Sequence, residues 1–365
     1  MTEIHLNKVQ QIILESSGKA RRDSIARRRP KDLSRPSASW TTDAKIGDAT
    51  GRATSIVLAT VGCSYARGES GGCTMCSYLL DGTEKRPTDE QIVQQFNSVL
   101  SSLSGEGPLS IKLYTSGSFL DEDEVSLDAR NDILNKIAQD NRIAEVVIES
   151  RPEYVTDETM AVIRNILGDR RIEIGIGLES SNDRIRSICI NKGFTLAEFK
   201  AALKIASKQD IGVRAYVLLK PPFLSESSAL QDTLKTIQDC TALGVSTVSL
   251  NPVNVQRNTL VESLWEKGEY RPAWLWTLVE VLRKGRESLD KGVNLVCDPV
   301  AGSKPRGAHN CRSCDKKIVQ AIRRFSLSQD SFCFEGLECE CTSQWKHVLE
   351  HEEISLLVHS DRRLR

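Results

Sequence analysis

Between Cys63 and Cys76 the chain places three cysteines, with nine residues separating the first two and two separating the last pair, in Gly62-Cys63-Ser64-Tyr65-Ala66-Arg67-Gly68-Glu69-Ser70-Gly71-Gly72-Cys73-Thr74-Met75-Cys76-Ser77-Tyr78. The loop follows Ser55–Val61, an apolar, β-branched run of strand length, so the thiols leave a strand end. A structural zinc takes four protein ligands. Three thiolates instead suit a four-iron cluster with one iron open to an external ligand. Glycines 62, 68, 71 and 72 let the loop fold tightly around such a core. A zinc knuckle borrowing a fourth ligand, or three packed thiols, is the competing reading.

From residue 51 strands and helices alternate. Strands are expected at Ser55–Val61, Ser110–Thr115, Glu145–Glu149, Arg171–Gly177, Gly212–Leu219 and Thr247–Leu250. Helices are expected at Glu90–Leu103, Leu127–Gln139, Asp157–Leu167 (capped by Thr156 or Asp157), Leu196–Gln209 (capped by Thr195), Ser228–Leu243 and Trp274–Asp290. Six βα units in succession demand an α/β fold with a parallel sheet and right-handed crossovers. A partial (β/α)6 TIM barrel fits, with a doubly wound sheet as the alternative. In either, chemistry belongs at the C-terminal strand ends, where the cysteines fall.

Other strand ends carry candidates. Ser116-Gly117-Ser118 is a small turn that exposes backbone groups to a ligand. Glu149 and Arg151 line a site or pair with each other. Glu179 is a carboxylate beside a buried strand and needs a partner; Arg214, if inward, needs an anion, with a cofactor carboxylate or Glu179 in reach. Cys189 reads as packed, and Asn251–Gln256 as a polar loop suited to substrate contact.

The two ends differ from this middle. Residues 1–50 read as a basic extension, with a short helix over Val9–Leu14 and cations at Lys19, Arg21, Arg22, Arg27, Arg28, Arg29, Lys31 and Arg35; it is a candidate phosphate-contacting arm or a solvated tail. The barrel is assigned 51–296, and 297–365 is a cysteine-rich unit. There Cys311, Cys314, Cys339 and Cys341 form the simplest zinc set, with Cys333 and His309 as alternative ligands and a second iron–sulfur cluster still open. Around them Lys304, Arg306, Arg312, Lys316 and Lys317 make a candidate RNA surface, against the plainer reading of a solubilising face.

Net charge is zero and 39% of the 365 residues are hydrophobic. No apolar run of about eighteen residues predicts a membrane span, and no apolar signal core opens the chain. The clustered ones among the eleven cysteines then read as metal ligands in a cytoplasmic protein rather than disulfides.

The three-cysteine loop resembles the radical S-adenosylmethionine superfamily, in the branch holding the Elongator catalytic subunit and MiaB-like enzymes. With Arg306-Gly307-Ala308-His309-Asn310-Cys311-Arg312-Ser313-Cys314-Asp315, Phe325–Asp330 and Leu337-Glu338-Cys339-Glu340-Cys341, the chain from Trp40 to Trp345 resembles the archaeal radical enzymes of archaeosine biosynthesis; Ala308 stands where proline is expected. The resemblance implies a 4Fe-4S cluster on Cys63, Cys73 and Cys76, S-adenosyl-L-methionine held by Tyr78, Ser116, Gly117, Ser118, Glu179 and Arg214, and Zn2+ in the C-terminal unit. It implies a tRNA substrate whose D-loop deazaguanine carries a lysine attached by a partner archaeosine synthase subunit. A 5′-deoxyadenosyl radical would take hydrogen from the lysine carbon beside the amidine nitrogen, and the carbon–nitrogen bond would break. Alternatives are a methylthiotransferase or Elongator-like RNA enzyme, although a second cysteine triad and an acyltransferase domain are missing, and a non-catalytic zinc-dependent RNA-binding scaffold.

Overall fold

The computed structural model describes residues 3–25, 31–103, 107–290 and 292–352. Eight strands form one sheet in chain order: β1 (Ala38–Ile46), β2 (Ala49–Val57), β3 (Leu109–Tyr114), β4 (Ile143–Glu149), β5 (Arg171–Glu179), β6 (Gly212–Leu219), β7 (Thr247–Pro252) and β8 (Asn294–Val296). β1 and β2 make an antiparallel hairpin, and every later pairing is parallel. The helices are α1 (Glu3–Ile25), α2 (Ser64–Arg67), α3 (Asp89–Leu100), α4 (Leu127–Gln139), α5 (Asp157–Leu167), α6 (Leu196–Ser207), α7 (Glu226–Leu243), α8 (Leu260–Glu266), α9 (Leu275–Ser288), α10 (Asp315–Ser328) and α11 (Cys341–His351). A doubly wound sheet reverses its strand order at a switch point. Here the order runs straight through, as in an open partial barrel, and α10 packs against both β1 and β8, the two strands at the ends of the sheet.

Five of the six expected strands are present close to their expected bounds, and the first, expected over Ser55–Val61, runs instead over Ala49–Val57. Two more were not anticipated. β1 is polar and exposed along most of its length, so it lacks the apolar signature of a strand and owes its order to pairing with β2. β8 has three residues, too few to show a pattern. The boundary drawn at residue 50 falls inside β2, and α1 extends well beyond Val9–Leu14; Arg27, Arg28 and Arg29 lie outside the described residues.

Register explains why the strands alternate instead of reading as continuous apolar runs. Leu113, Ile148, Ile174 and Val213 lie side by side on the helix-facing surface and are fully buried or nearly so. Their neighbours on the concave face are Ser55, Lys112, Tyr114, Glu145, Glu149, Glu173, Gly175, Gly177, Arg214 and Tyr216. One wall is therefore core and the other a polar lumen. Thr88, Ser126, Thr156, Thr195, Ser225 and Thr259 each accept a hydrogen bond from the backbone N–H three residues on, starting α3, α4, α5, α6, α7 and α8. In α3, α4, α5, α6 and α7, which follow parallel strands, these starts lie on the side of the strands' C-terminal ends. Among the described residues no helix is long and apolar enough to cross a membrane.

Candidate cluster site at the mouth of the barrel

Cys63 sits at the N-terminus of α2, beyond the end of β2, and Cys73 and Cys76 follow the Gly71–Gly72 turn, where both glycines have positive φ. Burial pushes Cys63 up, and burial followed by Cys73 pushes Cys76 up to about 12. A cationic metal centre between them relieves this arrangement.

The loop is braced from across the barrel. Thr74 donates its N–H to the Ile190 carbonyl at 2.9 Å and its hydroxyl to the Cys189 carbonyl at 2.7 Å. Asn191, in a left-handed conformation, donates to the carbonyls of Ser70 (3.0 Å) and Gly72 (2.8 Å) and accepts from the Tyr65 hydroxyl. Gln256 accepts from the Ser77 N–H at 2.6 Å. Sequence reasoning missed these braces, because Asn and Gln side chains announce no partner 119 or more residues away. Cys189 is packed as expected, fully buried.

The turn after β3 abuts the first cysteine. A Cβ on Gly117 would lie 2.4 Å from the Cys63 Cα and 2.1 Å from Glu124 Oε1. Glu124 anchors the turn: Oε1 accepts from the Ser118 N–H (2.7 Å) and Oε2 from the Thr60 hydroxyl (2.6 Å), while burial lifts its carboxyl to about 7. Ser116 Oγ is buried and has no partner. An unsatisfied hydroxyl against the cysteine loop is a vacancy in hydrogen bonding that a polar ligand fills, so these residues fit a cofactor beside the thiols. Tyr78, more than half exposed, begins the short turn Tyr78–Asp81 just after Cys76.

Glu179 has a positive φ and pairs with Lys192 at 2.7 Å. Arg151 does not pair with Glu149. It binds Glu153 and the Lys192 carbonyl and lies over the Tyr65 ring at 4.6 Å. Glu149 itself is lifted to about 8, by burial first and then by Glu124 and Glu179, with Lys192 opposing. Arg214 bonds Glu173, and not Glu179, at 2.8 Å near the N-terminal end of β6. Alternation along the strand sets Arg214 opposite to Val213 and Ala215; its depth along the strand decided the partner.

At the other end of the chain, Cys311, Cys314, Cys339 and Cys341 bring their sulfurs within 4.8 Å of one another. The edges 311–314, 311–339 and 314–341 measure 3.8, 3.5 and 3.7 Å. A tetrahedron of zinc–sulfur bonds has edges of about 3.75 Å, so this donor set fits one closed tetrahedral ion. Asn310 Nδ2 and Trp276 Nε1 donate to Cys314 and Cys341. Cys333 and His309 are not in the set: Cys333 contacts Ser328, and His309 Nδ1 lies 2.8 Å from the Gly307 carbonyl.

No family model matches the chain. It is 39% identical to archaeosine synthase subunit beta of Methanosarcina acetivorans over 327 residues, covering 90% of this chain and 93% of the relative. It is 38% identical to archaeosine synthase subunit beta of Thermococcus kodakarensis over 315 residues, covering 86% and 96%. The chain belongs to the archaeosine synthase subunit beta family. Solved structures similar to this family member include an N-terminally truncated Elp3 of Methanocaldococcus infernus, with TM-score 0.48 at 14% identity over 69% of this chain and 60% of that one. Another is the radical S-adenosylmethionine methyltransferase TsrM of Kitasatospora setae with a bound 4Fe-4S cluster, with TM-score 0.41 at 14% identity over 60% and 38%.

The candidate RNA cations of this family member divide. Lys304, Arg312, Lys316 and Lys317 are exposed. Lys317 donates to the Gly336 carbonyl at 3.0 Å. Arg306 is half-buried and engaged: it bonds Glu262 at 2.7 Å and the Val255 carbonyl and lies 4.7 Å over the Trp265 ring.

Proposed function

We propose that this archaeosine synthase beta-family chain is a radical S-adenosylmethionine enzyme of tRNA modification. Its reaction is that of a carbon–nitrogen lyase, releasing lysine from a lysine-adducted 7-deazaguanine in the D-loop and leaving archaeosine. The observation that carries this reading is the set of three thiols at the mouth of a polar-lumened partial barrel, in a chain this similar to archaeosine synthase beta subunits. Cys63, Cys73 and Cys76 hold a 4Fe-4S cluster; Ser116, Gly117, Ser118, Glu179 and Tyr78 position S-adenosyl-L-methionine; Cys311, Cys314, Cys339 and Cys341 hold structural zinc.

When bound, the cluster and S-adenosyl-L-methionine supply a hydrogen-abstracting radical by one-electron cleavage. The chain's own residues orient and enclose. The orphaned Ser116 hydroxyl and the Glu179–Lys192 pair give fixed polar contacts beside the thiols. Tyr114 and Tyr216, from strands three apart, bring their hydroxyls to 3.4 Å across the lumen and close it from below. Glu149, lifted to about 8, stays a neutral acid at physiological pH and offers a hydrogen bond there. The word "beta" in the relatives' names supports a partner subunit that attaches the lysine, and Lys304, Arg312 and Lys316 are offered as phosphate contacts.

The test is anaerobic reconstitution with iron, sulfide, S-adenosyl-L-methionine, a reductant and lysine-bearing tRNA. Expected products are 5′-deoxyadenosine, free lysine and archaeosine, read by mass spectrometry. 5′-Deoxyadenosine without lysine release overturns the lyase step. A chain that takes up no iron overturns the enzyme reading.

A further inference from the structure

The cations before residue 36 read as an RNA arm, but one of them faces inward. Ile13, Ser17 and Arg21, spaced by four, form the buried stripe of α1, while Lys19 and Arg22 are exposed. Arg21 is only 5% exposed, which removes it from any phosphate surface.

The stripe rests on the cysteine loop itself. A Cβ on Gly71 would lie 2.7 Å from both the Cα and the N of Gly18, so helix and loop touch backbone to backbone. Beside that contact Arg21 Nε donates to the Gly71 carbonyl at 3.1 Å, and Nη2 donates to the Cys76 carbonyl at 2.5 Å. Its third nitrogen, Nη1, is buried without a partner. Burying a guanidinium with one donor unsatisfied is costly, unless an acceptor belongs there.

We propose that α1 caps the cysteine loop and that Arg21 is its positioning residue, holding the Gly71 and Cys76 carbonyls while keeping a fixed positive charge and a free N–H beside the Cys76 ligand. This rests on the cluster reading given under Proposed function. Two carbonyl bonds pin the planar guanidinium, so its charge cannot swing away as a lysine's can. A fixed cation beside an anionic cluster favours the form that has gained an electron, and the helix keeps water and oxygen off the Gly71–Cys76 side. Groups in this outer layer govern how well a metal is held.

The experiment uses the full-length chain, anaerobically reconstituted with iron and sulfide, as wild type, Arg21→Met and Arg21→Lys. The readouts are the rate at which the visible iron–sulfur absorbance bleaches in air and the midpoint potential in a dye-mediated dithionite titration. Arg21→Met is expected to bleach roughly ten- to a hundredfold faster and to have a more negative midpoint. Arg21→Lys is expected to keep a near-wild-type midpoint and still bleach faster, since a point charge cannot span both carbonyls. Wild-type bleaching and midpoint in Arg21→Met overturn the inference; if that variant does not fold, wild-type bleaching in Arg21→Lys does so. A wild-type chain that binds no iron overturns the cluster reading and this inference with it, whereas iron-loaded wild type beside unaltered variants overturns this inference alone.

Discussion

Glu179 and Lys192 meet at 2.7 Å where β5 leaves the sheet, and they occupy the space that a side chain on Gly177 would need. A Cβ there would lie 2.4 Å from Lys192 Nζ and 2.6 Å from Glu179 Oε1. Burial opposes the charge on Lys192, and Glu179 more than offsets it. Gly177→Ala is therefore expected to push the ends of Lys192 and Glu179 aside, to lower the urea midpoint, and to weaken S-adenosyl-L-methionine binding in calorimetry. Unchanged stability and binding would show the pair to be dispensable.

Arg214 and Glu173 form a second buried pair, surrounded by Thr247, Ser246 and Arg171. Because it lies deep in the lumen, it is expected to matter for folding and not for cofactor capture. Arg214→Gln should destabilise by about 3 kcal/mol while the dissociation constant for S-adenosyl-L-methionine stays within the error of wild type. A selective loss of cofactor binding would restore the role read from the sequence.

Glu149 gives the chain a pH dependence of definite sign. Its folded pKa of about 8 stands above the ordinary 4.5, mainly because burial penalises the charge. Between those values the folded state keeps a proton that the unfolded state gives up, so stability falls as pH rises through this window and levels off above it. Glu149→Gln should flatten the decline of melting temperature between those pH values and melt higher than wild type at the alkaline end. Parallel curves for the two proteins would refute the assignment.

The four C-terminal thiols predict a metal that stabilises the fold. Cys339→Ser should lose one equivalent of zinc by elemental analysis and melt at lower temperature, and a strong chelator should do the same to wild type. Iron at the barrel loop should be unaffected in the serine variant. Full zinc retention would move the site elsewhere.

Lys304, Arg312, Lys316 and Lys317 of the original surface set are exposed, and the first three make no hydrogen bond like that of Lys317 to the Gly336 carbonyl. Changing all three to glutamine should weaken tRNA binding and lower the log–log salt slope by about one unit for each cation that touches a phosphate. Arg306→Gln, by contrast, should lower stability with little change in slope, since its guanidinium is engaged by Glu262 and Trp265.

The sequence determined the parts whose cause is local. Strand and helix alternation follows from side-chain periodicity, helix starts from Thr and Ser caps, and the two cysteine groups from spacing along a few residues of loop. Hence six parallel strands, the cap Thr195 and the C-terminal thiol set were legible in the sequence, which left the α5 cap between Thr156 and Asp157. Tertiary structure decided whatever depends on residues distant in the chain. It gave Arg214 to Glu173 and Arg151 to Glu153, turned Arg21 from a surface cation into a buried brace, tied Arg306 to Glu262, and ordered the polar strand β1 by pairing it with β2. The reason is physical: a charge or a backbone donor has many partners available in sequence, and only packing fixes its depth, its direction and the one neighbour close enough to satisfy it.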